Sequence, residues 1–229
     1  MILKKKILAV VPARGKSKGI KLKNLKKIKK NSLVALVGKF IQKCGFFDKS
    51  VISTDNKKIA SEGIKYKLNV IKRPNYLSGD KISDTKVLIH AVLSAEKYYN
   101  QKFDVIVMLH PTSPLRKVDD IRKSILKLIN LNCDSVWTIS KTDSKYHPYK
   151  QLNLKKGKIS YYSKQGNKII YRQQLSQLYH RNSAAYIIKR NFLIKKKKLL
   201  SKKTFGYVTS SKQISIDSLE DLKTAKLYL

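Results

Sequence analysis

Short apolar runs alternate with longer segments whose apolar residues recur at helical spacing, and this rhythm holds from residue 7 to residue 139. Residues 7–11 form the first apolar run. Residues 32–44 follow, with Leu33, Leu36, Val37, Phe40 and Ile41 on one helical face. "VISTD" at 51–55 predicts a strand ending in polar residues, and 56–66 a helix for which Asn56 is a cap. Residues 68–71 read as a short strand. Residues 84–99 read as a long amphipathic helix presenting Val87, Leu88, Ala91, Val92 and Ala95. "DVIVML" at 104–109 predicts a buried strand, 119–131 a helix and 135–139 another strand. Residues 184–188 return to strand, and 218–229 close the chain as a helix. Strand and helix in alternation predict an α/β fold, a mostly parallel sheet covered by helices on both faces. Such sheets bind ligands at the carboxyl ends of their strands. The loops after Val11, Thr54 and Leu109 are therefore expected at one edge.

The rhythm breaks at about 141–180. Tyr146, Tyr149, Tyr161, Tyr162, Tyr171 and Tyr179 crowd this stretch, and "KKGKIS" and "KQGNKII" read as turns entering strands. An inserted hairpin with exposed aromatics is expected, a composition common at protein interfaces. The rest of the 229 residues suit a single domain, and a 42% hydrophobic fraction fits a globular core. No apolar run approaches the roughly 20 residues that span a bilayer, so no membrane association is expected. Lysines ahead of the first apolar run superficially imitate a signal peptide. That run, however, is short and meets Pro12-Ala13-Arg14 with no small-residue cleavage pattern, so it reads as a first strand. Cys44 and Cys133 are too few for a disulfide scaffold or a zinc site, which points to a reducing cytoplasm. Lys+Arg 51 against Asp+Glu 14 gives a net charge of +37. The lysines are spread through every segment, and the longest run, 195–198, is four residues. Solvated lysine faces are thus preferred to a nucleic-acid footprint, although the positive field would attract any anionic substrate.

Two stretches carry chemistry. In "PARGKSKG", Pro12 ends the strand, Gly15 and Gly19 allow close approach of the backbone to a ligand, and Arg14 and Lys18 supply positive charge. Backbone N–H groups of such a loop can cradle phosphate oxygens. Neither the Walker A spacing nor G-x-G-x-x-G is present, and taken alone the stretch also fits a basic surface turn. In "HPTSPLR", 110–116, two prolines fix a non-helical loop after a buried strand and present the hydroxyls of Thr112 and Ser113, which suit a polyhydroxylated substrate. An ordinary rigid turn would read the same way.

Taken in order, these stretches resemble the acylneuraminate cytidylyltransferases, which activate nine-carbon 2-keto sugar acids with CTP. "PARGKSKGIKLKN" is similar to the family's nucleotide loop, and "VISTD" and "RPNYLSGD" to its next two signatures. "HPTSPLR" resembles its sugar-side loop, whose first position is usually glutamine. "HPYK", "RQQL", "NSAAYII" and the tail "SIDSLEDLKTA" resemble the later motifs. The resemblance implies a Rossmann-like nucleotidyltransferase fold, a mixed, mainly parallel sheet with a small β-hairpin dimerisation insertion at about 141–180. It also implies CTP, a nonulosonic acid of the sialic type and Mg²⁺ as ligands, and a homodimer. Arg14, Ser17, Lys18, Lys23 and Asn24 would bind and polarise the phosphates or position the nucleotide, with Arg14, Lys18 and Lys23 catalytic. Arg73, Ser83 and Asp84 would line the nucleotide pocket. His110, Thr112, Ser113, Asn182 and Tyr186 would face the sugar, and Lys150 and Arg172 would reach its carboxylate across the dimer. Asp217 would hold the metal.

The chain departs from the family at several of these positions. Ser215 replaces the first of two tail aspartates, so weakened metal binding is expected, with Asp55 or Glu220 as alternative acids. His180, Arg181 and Ser183 stand where arginine, proline and glycine are common. The resemblance implies N-acylneuraminic acid as the acid activated, and these changes keep legionaminic or pseudaminic acid as the alternative. A non-catalytic nucleic-acid-binding protein is the alternative from another class. His90 reads as packing, His147 as part of a Tyr-His-Pro turn, Trp137 as core, and Asp119-Asp120 as acids favoured at a helix N-terminus.

Overall fold

In the computed structural model, which describes residues 2–17 and 19–229, the alternation of the sequence becomes a layered sheet. The strands in chain order are β1 (Ile7–Pro12), β2 (Lys27–Ile28), β3 (Asn31–Ser32), β4 (Lys49–Thr54), β5 (Asn69–Lys72) and β6 (Val105–Met108). They continue with β7 (Ser135–Lys141), β8 (Leu152–Lys155), β9 (Lys158–Tyr161), β10 (Tyr179–Lys189) and β11 (Thr204–Val208). The helices are α1 (Leu33–Cys44), α2 (Lys57–Lys65), α3 (Asp84–Tyr99), α4 (Val118–Asn130), α5 (Arg190–Lys196) and α6 (Leu219–Lys226). Seven strands form the main sheet in the order β11-β7-β10-β6-β1-β4-β5. β1 pairs in parallel with β4 and β6, β4 with β5, and β7 with β11; β10 runs antiparallel between β6 and β7.

The strand pleat divides the apolar residues between two cores. On β1, Ile7, Ala9 and Val11 point into the core shared with α1, α2 and α4, where Val34, Ile59 and Ile121 are fully buried. Leu8 and Val10 point the other way, into the core shared with α3 and α5 through Leu88, Ala91 and Leu193. Covered on both faces, β1 and β6 have to be apolar throughout, and both are. The helix starts follow side-chain chemistry. Ser32 Oγ accepts from Ala35 N at 2.9 Å, and Asn56 Oδ1 accepts from Ile59 N at 3.1 Å, the cap expected there.

The structure also adds elements that the pattern did not announce. α5 and β11 occupy a lysine-rich stretch, and β10 begins at Tyr179, crossing a register shift between Arg181 and Tyr186. Within the inserted segment, β8 and β9 form a hairpin. Lys156 and Gly157 both have positive φ, 49° and 78°, the twist that a two-residue hairpin turn requires. "KQGNKII" does not become a strand. It holds a 3₁₀ turn, Gly166–Lys168, and a Cβ on Gly166 would lie 2.5 Å from the Tyr149 carbonyl oxygen.

Candidate active site

At the carboxyl edge of the sheet, the segments following β1, β5 and β6 meet the chain's tail around a cavity of about 330 Å³. Its walls include Arg14, Ser17, Lys23, Asn24, Arg73, Asp84, His110, Thr112 and Asp217, together with Ser183 and Ser215. Residues spread over two hundred positions of sequence thus converge where the topology places ligands.

The first loop is fastened on all sides. Gly15 N donates to Asp55 Oδ1 at 2.7 Å, and Asn24 Nδ2 donates to the Arg14 carbonyl at 2.9 Å. Arg14 Nη1 pairs with Asp80 Oδ1 at 2.8 Å, so the "RPNYLSGD" stretch steadies the first loop's cation. The two glycines are required by chain packing. A Cβ on Gly15 would lie 2.8 Å from Asn56 Cβ, and one on Gly19 would lie 2.9 Å from the Asp217 carbonyl oxygen. Close packing of the chain on itself is thus sufficient reason for both glycines. Lys18 lies outside the described residues.

Arg73 is buried, with Nη2 donating to the Ser53 carbonyl at 2.8 Å and Nε to Ser53 Oγ at 3.2 Å. Burial lowers its pKa, while Asp55 and Asp84 oppose that shift; a guanidinium stays charged regardless. Lys23 Nζ meets Asp217 Oδ1 at 2.8 Å, and Ser215 Oγ lies 3.4 Å from Asp217 Oδ2. Asp55 is tied to Gly15 N, and Glu220 sits in the first turn of α6, away from the cavity wall. Asp217 is therefore the tail acid that faces the cavity. Among the described residues no cluster of three His, Cys, Asp or Glu could hold a metal by itself. One carboxylate and one hydroxyl are a donor set that fits Mg²⁺ only when phosphate oxygens and water complete the octahedron.

The "HPTSPLR" loop is held from behind. Arg116 is buried, donates from Nε to the Ala184 carbonyl at 3.0 Å and from Nη2 to the His110 carbonyl, and lies 5.4 Å from the centre of the Phe40 ring. The Thr112 carbonyl accepts from Ile216 N at 2.8 Å, joining this loop to the tail. His110 stands edge-on to Tyr186 with ring centres 6.0 Å apart, and its Nε2 lies 3.7 Å from Asp84 Oδ2. Burial lowers the His110 pKa; Asp84 raises it, and Arg116, Lys23 and Arg73 lower it further.

Several expected contacts lie elsewhere. Ser113 is fully buried, with Oγ 3.4 Å from the Asn182 carbonyl, because the turn from His110 points it inward. Asn182 ties β10 to its neighbours: Oδ1 accepts from Thr138 Oγ1 at 2.8 Å and from Ala184 N, and Nδ2 donates to Ser140 and Thr209. Tyr186 packs between His110 and Trp137. Ser83 precedes α3 as its exposed N-cap residue. None of these four lines the cavity. Lys150 and Arg172 are exposed on the inserted segment, and Arg172 lines a separate cavity with Asp143 and His147. Asp80, Arg116 and Ser183 were not singled out for the site. Asp80 and Arg116 end motifs that were themselves recognised, which was the available signal.

A family model described as cytidylyltransferase matches residues 8–228. Post-translational flagellin modification protein B of Campylobacter coli is 31% identical over 226 residues, 97% of this chain and 94% of that protein. CMP-N,N'-diacetyllegionaminic acid synthase of Campylobacter jejuni subsp. jejuni serotype O:2 is also 31% identical, with the same coverage. The fold is shared with a solved structure of CMP:2-keto-3-deoxy-manno-octonic acid synthetase complexed with CTP, which is 13% identical at a TM-score of 0.70 and is covered over 97% of each chain.

Proposed function

The chain belongs to the cytidylyltransferase family, and from that premise we propose that it joins CTP to a nonulosonic acid, giving the CMP-sugar and pyrophosphate. What carries this reading is the cavity itself. Arg14, Lys23 and Arg73 bring three cations to its lining, and Thr112 and His110 add a hydroxyl and an imidazole. A triphosphate meets the first set and a sugar acid the second. In the reaction the anomeric hydroxyl oxygen attacks the α-phosphorus in line with the departing pyrophosphate. Catalysis then consists mainly of positioning and of neutralising charge on the phosphates. Arg14, steadied by Asp80, and Lys23 are placed for that neutralisation, and Asn24 fixes the loop between them.

Asp217, with Ser215 beside it, would hold Mg²⁺ once a nucleotide supplies phosphate oxygens, and the metal would neutralise phosphate charge. Binding of the metal-nucleotide requires Lys23 to exchange its carboxylate partner for a phosphate, because the two now form an ion pair. Lys150 and Arg172 stand outside the cavity and act on the sugar carboxylate of a neighbouring subunit. The exposed Leu154, Ile159, Ile170 and Tyr171 of the insertion support such a dimer. No helix among the described residues is long and apolar enough to cross a membrane, and a CTP-consuming reaction belongs to the cytoplasm.

Within the class of acids, similarity to the legionaminic acid synthase supports an acid of that type ahead of N-acetylneuraminic acid. Pyrophosphate release would be measured with CTP, ATP, GTP and UTP against N,N'-diacetyllegionaminic, pseudaminic and N-acetylneuraminic acids in the presence of Mg²⁺. Product with CTP and at least one acid is expected. Silence in every combination, particularly with salt-sensitive binding to DNA, would refute the reading.

A further inference from the structure

We propose that His110 is the general base of the transfer and that Asp84 orients it. This rests on the cytidylyl-transfer reading of the cavity. The geometry is that of a histidine with little freedom. Its backbone follows β6 directly, and its carbonyl accepts both from the buried Arg116 and, at 3.2 Å, from Ser113 N. Tyr186 holds the ring edge-on, and Trp137 backs Tyr186 with ring centres 5.0 Å apart. Nε2 lies on the side of the Asp84 carboxylate, 3.7 Å from Oδ2; in the proposal Nε2 carries the proton of the neutral ring and Nδ1 is the acceptor. The separation of 3.7 Å shortens to an ion pair once the ring is charged.

The other ionisable groups of the cavity do not suit the task. Arg14 and Arg73 are permanently cationic, Lys23 is engaged by Asp217 and, in the proposed complex, by phosphate, and Asp217 is the acid assigned to the metal. His110 is neutral at neutral pH, because its burial and the cations Arg116, Lys23 and Arg73 outweigh Asp84. Tyr186, the remaining polar group against it, packs through its ring.

The step balances as follows. The O–H bond of the anomeric hydroxyl breaks and its proton passes to Nδ1. The oxygen's electron pair forms the bond to the α-phosphorus. The bond from the α-phosphorus to the bridging oxygen breaks, and its pair leaves with pyrophosphate. The imidazolium rests beside Asp84 and returns its proton to solvent.

The test is the pH dependence of kcat for the wild type, His110→Gln and Asp84→Asn, with CTP, Mg²⁺ and whichever acid of the three supports fastest turnover. Glutamine, the residue usual at this position of the family, keeps a hydrogen-bonding side chain but cannot titrate, so the variant asks whether this chain depends on the histidine it carries instead. The wild type should lose rate on acidification with a midpoint below the ordinary histidine value of about 6.5. His110→Gln should lower kcat by about 10²–10³-fold and abolish that acid limb, with CTP affinity within about twofold. Asp84→Asn should lower kcat and move the limb to still lower pH, because the carboxylate raises the imidazole pKa. His110→Gln with kcat within about threefold of wild type, or with an unchanged acid limb, overturns the proposal. A wild type that releases no pyrophosphate overturns the transfer reading instead. NMR titration then judges the pair separately: a His110 pKa that does not fall in Asp84→Asn refutes the orientation by Asp84.

Discussion

At the scale of single residues, the tail carboxylate and the first loop's lysine hold one another. Asp217 is largely exposed, yet Lys23 Nζ sits 2.8 Å from it, so any cation approaching that carboxylate competes with an internal one. Ser215→Asp adds a second anionic oxygen within reach of both. It should lower the Mg²⁺ concentration for half-maximal rate about threefold, limited by repulsion from Asp217. Asp217→Asn should raise that concentration about tenfold or more and depress turnover, both read from magnesium titrations of initial rate. An unchanged titration in Asp217→Asn would place the metal elsewhere. Ser183 offers a separate test, since its φ of 56° puts a non-glycine residue in left-handed backbone. Ser183→Gly should stabilise the fold by about 0.5 kcal/mol, the strain relieved less the entropy that glycine adds to the unfolded chain, measured by urea denaturation. The motifs made Arg14, Lys23, Arg73, His110 and Asp217 legible from the sequence. They could not reveal that Asn182 turns inward, which depends on how β10 shifts register against β7, or that Ser113 does, which depends on the turn from His110. Arg116 escaped notice for a similar reason: a basic residue ending a polar loop reads as solvated until the loop folds over it.

At the scale of elements, the main-sheet strands and the helices of the first 140 residues follow from periodicity, since β1 and β6 are buried on both faces and α1 and α4 on one; the short β2–β3 pair does not. α5 and β11 were not legible: the helix has seven residues with three lysine or arginine side chains, and β11 is an edge strand without buried positions. Their places are set by tertiary contacts, such as Leu193 in the core and the Arg190–Glu96 ion pair at 2.8 Å. The β8–β9 hairpin is legible as a turn, but its exposure is the informative part. Leu154 and Ile159 are 74% and 69% exposed and face one another across the hairpin. Leu154→Lys with Ile159→Lys should leave the unfolding midpoint within about 0.5 kcal/mol of wild type, because neither side chain contributes to a core. The same pair should convert a dimer to monomer in sedimentation velocity and lower turnover with it. A fully active monomer would remove Lys150 and Arg172 from the chemistry.

At the scale of the whole molecule, the net charge of +37 acts as a field on any anionic ligand. Three cations on the cavity wall supply short-range contacts; the other lysines contribute only through space and are screened beyond about 10 Å at 0.1 M salt. Raising KCl from 50 to 300 mM should therefore increase KM for CTP about five- to tenfold while kcat changes less than about twofold. Steady-state kinetics at fixed Mg²⁺ would show this. A salt-independent KM would mean that the surface lysines are inert toward the nucleotide.

The tail contributes Ser215 and Asp217 to a cavity that Pro12 and Arg14 also line, and it is stitched there by Ile216 N to the Thr112 carbonyl. Lys23 and Asp217 lie 194 residues apart. At about 5–20 residues per second, the ribosome makes the second partner roughly 10–40 s after the first. The central strands can pair while that tail is still unmade, but the site cannot close. A nascent chain can thus carry paired central strands while its cavity still lacks the wall that Ser215 and Asp217 supply.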